Sequence, residues 1–170
     1  MSRGRAALPT AFAALAACAV TPPPDDPVGA AAQPRSEIVF YDYRRPAEQL
    51  GELSARFDDG GGERLVAPAD FRLREFGFPS SAYYRTRSSG TIRVAVALAY
   101  EGRVSEGSFE LPLQPDWRHG IAIHLTGGEP PEGCMGCMGG KAIPLAAPIG
   151  ANTTLFVAWG GNSISQPLPS

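Results

Sequence analysis

Thr91-Ile92-Arg93-Val94-Ala95-Val96-Ala97-Leu98-Ala99-Tyr100 is the stretch whose pattern decides the fold. Ile92, Val94, Val96, Leu98 and Tyr100 recur at every second position, with Arg93 and three alanines between them. Successive side chains of a strand point to opposite faces, so a period of two predicts a strand buried on one side and lightly covered on the other.

The same period extends outward in both directions. Glu101-Gly102 supplies a turn, and Phe109, Leu111 and Leu113 then alternate with Glu110 and Pro112. Proline donates no ladder hydrogen bond, so Pro112 places this strand at a sheet edge or a bulge. Past Trp117, Ile121, Ile123 and Leu125 repeat the pattern, and Leu155, Val157 and Trp159 form a last strand ended by Gly160-Gly161-Asn162. Upstream, Val39, Tyr41 and Tyr43 alternate with Ile38, Phe40 and Asp42, while Leu53, Ala55 and Phe57 run into Asp58-Asp59-Gly60-Gly61-Gly62, a turn by chemistry. Residues 68–77 fit either a helix capped by Asp70 or a strand carrying Phe71 and Leu73. About seven short strands separated by turn residues predict an all-β antiparallel β-sandwich, immunoglobulin-like or related, over residues 37–170. The Cys-Trp-Cys core of a true immunoglobulin domain is missing from the sequence.

Composition agrees with one such domain. Apolar residues make up 44% and charged residues 19%, and the 20 Gly and 17 Pro favour short strands and turns over long helices. The formal charge is -2, and without Arg3 and Arg5 the remaining 13 basic residues face 17 acidic ones. That balance argues against a nucleic-acid partner. The arginine pairs Arg44/Arg45, Arg72/Arg74 and Arg85/Arg87 are interspersed with acids and read as solvated strand faces.

The first residues read as an address. Met1 to Arg5 carries two arginines, residues 6–17 are almost wholly Ala, Leu and Phe, and the run closes on Leu15-Ala16-Ala17-Cys18. This is the layout of an export signal over residues 1–17, too short to span a bilayer as a helix. Leu15-Ala16-Ala17-Cys18 resembles the lipobox of bacterial lipoproteins. The resemblance implies cleavage before Cys18, attachment of fatty acyl chains such as palmitate to that residue, and a membrane partner through the lipid. Ala19, standing where Asp favours inner-membrane retention in that family, implies the outer membrane of the cell envelope. Residues 18–36, with Pro22, Pro23, Pro24, Pro27 and Pro34, are expected to be an extended or disordered tether.

The chemistry-bearing motif is Gly133-Cys134-Met135-Gly136-Cys137-Met138-Gly139-Gly140. The leading reading is a structural disulfide between Cys134 and Cys137, since export places thiols in an oxidising compartment. A thioredoxin-like role needs a helix start to stabilise the thiolate, and Gly139, Gly140 and Pro144 oppose one. The metal reading joins Cys134 and Cys137 to His119 and His124, ligands that suit Zn, with methionine sulfur suiting Cu. Five positions apart on a regular strand, those histidines point to opposite faces, so both ligate only if Gly120 introduces a bulge. A haem site is excluded because no His follows the second cysteine, and a phosphate loop because no Ser or Thr follows Lys141. No Gly-x-Ser-x-Gly elbow supports an envelope hydrolase.

The expectation is a non-catalytic binding or structural module at the envelope, needing no cofactor, with an envelope protein or glycan as ligand. The alternative is a metal-handling or thiol-active lipoprotein using the Cys134/Cys137 loop.

Overall fold

The alternating segment is strand β6 (Gly90–Tyr100), and it lies inside the smaller of two sheets. A computed structural model describes residues 35–45, 48–74, 77–131, 138–161 and 164–169, all within the unit Gln33–Ser170. Cys18, Cys134 and Cys137 lie outside the described residues.

Before β6 come β1 (Ser36–Asp42), β2 (Glu52–Asp58), β3 (Glu63–Val66), a 3-10 turn at Pro68–Asp70, β4 (Arg72–Arg74) and β5 (Gly77–Thr86). After it come β7 (Arg103–Leu113), β8 (Trp117–Thr126), β9 (Gly139–Ile149), β10 (Asn152–Trp159) and β11 (Gln166–Pro167). The smaller sheet has the order β3-β2-β6-β7 and the larger β4-β5-β1-β8-β10-β9, with β11 pairing β8 beyond the end of β10. The chain is therefore an all-β sandwich. One pairing departs from the antiparallel expectation: β1 runs parallel to β8, from Glu37 opposite Arg118 to Asp42 opposite Ile123.

The core follows from the alternation. Ile92, Val94, Val96 and Leu98 of β6 meet Ile38, Phe40, Ile121, Ile123, Leu155 and Val157 of the larger sheet, all buried in one cluster. Phe40, Phe57 and Tyr84 form an aromatic trio across the sandwich, with ring centroids 5.5 to 6.3 Å apart. The outward side of β6 carries half-buried Ala95 and Ala97, as the alanines between the large residues predicted.

Turn chemistry sets the hairpins. Glu101 and Gly102 both take positive φ, 49° and 70°, the geometry of a two-residue hairpin that joins β6 to β7. Asp58 and Asp59 accept the N–H groups of Gly60 and Gly61, fixing the loop between β2 and β3. Pro112 lies on β7, an edge strand, as its missing N–H required. The described residues of 68–77, which are 68–74 and 77, form no α-helix: Asp70 closes only the 3-10 turn, accepting Ala67 N–H at 2.8 Å and the Tyr84 hydroxyl at 2.8 Å, before the chain re-enters the sheet as β4. Those two bonds hold the Asp70 carboxyl below its ordinary pKa, the Ala67 contact contributing most.

Arg44 is not a solvated face residue. It is buried with Asp42, donating from Nε and Nη2 to the two carboxylate oxygens at 2.9 and 2.8 Å and from Nη1 to Leu50 O at 3.0 Å. The pair locks the turn that carries the chain from the larger sheet to the smaller. At the other side of the sandwich the far half of β9 leans toward β7. There the buried Ser105 hydroxyl accepts Ala146 N–H, and Arg103 donates to Ala146 O, both at 2.8 Å.

Candidate functional site

The sequence places both histidines on β8, and the register of that strand decides their relation. Residues 118–123 pair with β1 and 121–126 with β10 without a shift at Gly120. No bulge forms, so His119 lies on the inward side with Ile121 and Ile123 while His124 lies outward. The two cannot share one ion. Gly120 serves a different purpose: the backbone of Ile164 crosses it so closely that a Cβ there would lie 2.2 Å from Ile164 O. Gly120 N–H donates to the buried Ser165 hydroxyl at 3.0 Å, which fixes the crossing segment. Among the described residues no group of three or more His, Asp or Glu side chains has metal-binding proximity.

His124 stacks on Tyr43, ring centroids 4.8 Å apart and planes 6° from parallel. Burial lowers its pKa against an opposing pull from Asp42. This is packing on the outward face.

His119 belongs to a cleft. Its Nε2 lies 3.0 Å from Gln114 N and 3.1 Å from Gln114 O. Nε2 thus either accepts Gln114 N–H or donates to Gln114 O, according to which ring nitrogen carries the proton. Burial lowers the His119 pKa, opposed by the backbone contact to Gln114. Beside it Leu111, Pro112, Trp117, Met138 and Trp159, with Gly160 and Ser165, line a recess of about 110 Å³. The Trp159 indole is clamped face to face on Phe109, centroids 4.1 Å apart and 14° from parallel. Met138 donates its N–H to Trp159 O at 2.9 Å and leaves its side chain 66% exposed at the rim.

The glycines of the supposed loop explain how the indole is seated. Gly139 and Gly140 are strand residues on the edge strand β9, opposite Trp159 and Ala158. A Cβ on Gly139 would lie 2.4 Å from the Trp159 ring, and one on Gly140 would lie 2.8 Å from the Phe156 ring. Each glycine leaves room for an aromatic ring to lie over the strand. This role was missed from sequence, where Gly139-Gly140 looked like part of a turn. No spacing in the sequence announces it, since the two glycines are adjacent while Phe156 and Trp159 lie three positions apart.

A second depression, about 420 Å³, lies over Ala95 on the outer face of the smaller sheet. Arg56 spans it to both Glu106 oxygens at 2.9 and 3.0 Å, and Arg93 donates to Ser108 at 3.0 Å. Its charges are largely matched in place, as expected of a solvated strand face. A third recess, with three arginines, lies at the end where the chain enters the domain.

No family model, curated protein or solved structure matches this chain. The walls of the cleft are aromatic and aliphatic, its polar lining comes from His119, Gln114 and Ser165, and its volume is well below the roughly 300 Å³ of pockets that enclose a whole small molecule. It suits a single ring or branched side chain projecting from something larger.

Proposed function

We propose that this chain is a lipid-anchored, non-catalytic binding module of the cell envelope, attached through Cys18, whose sandwich receives one apolar, ring-sized group of a protein or glycan in the Trp117–His119–Trp159 cleft. The observation that carries the reading is the seating of Trp159: Phe109 holds one face, Gly139 clears the space it occupies, and the cleft opens beside it. Rigid indoles lose little conformational entropy on binding and offer a large apolar surface, which makes them effective anchors for a ligand. The lipobox resemblance supports attachment at Cys18, and the Pro-rich residues 18–36 support a spacer between lipid and domain.

Trp117 and Trp159 are the two tryptophans of the chain, so indole signals report on the cleft alone. Cyclohexanol and benzyl alcohol, as ring-sized probes, are expected to shift both indole N–H resonances in the full chain. Trp159→Ala abolishes the response at Trp117. Probes that leave both indoles unmoved at millimolar concentration refute the cleft as a binding site. The anchor is tested separately by the mass of the exported protein, which carries acyl chains in the parent and none in Cys18→Ser.

A further inference from the structure

We propose that the end of the sandwich where the chain enters carries a phosphate-binding recess that seats anionic lipid headgroups, an inference that rests on the lipid-anchor reading above. The recess, about 530 Å³, lies between the β2–β3 loop and the residues that follow β5. Arg64, Arg85 and Arg87 line it together with Asp59, Thr86 and Ser88. The two segments lie side by side, since the Ser88 hydroxyl would lie 3.4 Å from a Cβ on Gly60, and Ser88 N–H donates to the Thr86 hydroxyl at 3.0 Å within its own segment.

The charge at this recess is unbalanced in a specific way. Asp59 is its one lining carboxylate; it accepts Gly61 N–H and meets Arg64 Nε at 3.4 Å. Arg85, 82% exposed, approaches Glu37 only at 3.5 Å, while Arg118 already holds that carboxylate through two bonds of 2.9 and 2.8 Å. Arg87 is exposed and in no ion pair among the described residues. Of the two other acids that flank the β2–β3 loop, Asp58 accepts Gly60 N–H and Glu63 faces Arg56 at 3.7 Å, and neither lines the recess. Three guanidinium forks thus face solvent around one neutralised acid, a donor array that fits the oxygens of a phosphate.

Position selects the source of that phosphate. Ser36, the first residue of β1, pairs with Thr86 at the rim of the recess, so the segment leading back to Cys18 leaves the domain at this end. The 17 residues between Cys18 and Ser36 reach roughly 60 Å when fully extended and much less when not, so the same end of the domain can descend onto the bilayer that holds the lipid. Each arginine near an anionic surface adds about 1 kcal/mol, roughly a fivefold gain in occupancy.

The test uses the full chain as purified from membranes, reconstituted in nanodiscs of phosphatidylcholine alone or mixed with phosphatidylglycerol. Hydrogen exchange of amides in 59–62 and 87–89 is expected to slow at least fivefold in the anionic discs, and to return to the phosphatidylcholine rate in R64Q/R85Q/R87Q and in high salt. All three positions are exposed, and the near-ultraviolet signal of the tryptophans checks that the variant stays folded. Equal exchange in the two discs, or protection that survives the triple substitution, overturns the proposal. Inorganic phosphate that protects the same amides equally well in phosphatidylcholine discs identifies a free-anion site and overturns the assignment to lipid. An acylated chain without protection defeats the recess alone. Protection in a chain whose mass shows no acylation sustains the recess and defeats the anchor.

Discussion

Gly120→Ala adds one methyl group to the centre of β8. In the structure that methyl would lie 2.2 Å from Ile164 O, 2.6 Å from Ile164 Cβ and 2.7 Å from Ile164 C. These separations are about an ångström inside van der Waals contact, and two of the three atoms are backbone, so a rotamer change cannot relieve them. The crossing segment is also tied down: Ile164 and Ser165 donate their N–H groups to Gly161 O at 2.9 and 2.7 Å, and Ser165 accepts Gly120 N–H. Overpacking costs about 1 to 3 kcal/mol, and releasing a hydrogen bond adds about 1 kcal/mol. The expected loss is therefore about 2 to 4 kcal/mol, a fall in Tm of roughly 10 °C for a domain of this size. Where space is free, alanine instead stabilises a strand glycine by restricting the unfolded chain; the sign of the effect is thus decisive. Gly127→Ala, whose nearest neighbour would be Ala151 O at 4.0 Å, is the control and changes stability by less than about 0.5 kcal/mol. Urea unfolding followed by circular dichroism measures both. Because Gly160 and Ser165 line the cleft, Gly120→Ala also shifts Trp159 emission. A variant as stable as the parent refutes the argument that Ile164 is pinned over β8.

Three further outcomes follow from the same geometry. His119 and His124 both titrate below the ordinary histidine value of 6.5 when folded, chiefly through burial. The unfolded chain therefore takes up protons first as the pH falls: their contribution to stability is complete above pH 6.5 and declines below it until the folded values are reached, and His119→Gln flattens that part of a urea-midpoint profile. Arg44→Leu strands the buried Asp42 carboxylate and costs about 3 to 5 kcal/mol, whereas Asp42→Leu/Arg44→Leu costs much less; equal losses in the single and double variants would show that the ion pair is not the source. Gly139→Ala drives the Trp159 indole off β9, seen as a red-shifted emission and a lost response to cyclohexanol; unchanged emission would contradict the seating described for that ring.

The strands that lay bare in the sequence are those whose two sides differ. β6 alternates large apolar residues with alanine and arginine, and its inward set, Ile92 to Leu98, is the buried set. β1 is different: Ile38 and Phe40 face the core, while Val39 and Tyr41 on the opposite side are also buried, so its near-continuous apolar run fits the inside of a sheet and conceals which face is which. β5 and β9 were missed for a related reason. Their residues include Gly, Pro, Ser and Ala, which read as loop, yet in β9 the missing side chains are replaced by rings from β10. The parallel pairing of β1 with β8 joins residues about 80 positions apart, beyond the reach of any local pattern.

The cleft was hidden by the same physics. Trp117 and His119 share one side of β8, two positions apart, but Met138 beside β9 and Trp159 on β10 come from elsewhere in the chain, and no spacing in sequence announces them. His119 was singled out as one of a ligand pair with His124, but the pleat of β8 sends the two to opposite faces, and an imidazole whose Nε2 is held by the Gln114 backbone on the inward face is a wall of a cleft. What joins that wall to the proposed address is the chain's own path. Ser36 donates its hydroxyl to Gln114 O at 2.9 Å, so the residue that starts the domain also steadies the turn that holds His119. The arginine recess adjoins the same starting strand through Thr86. Cleft and recess thus both adjoin the start of β1.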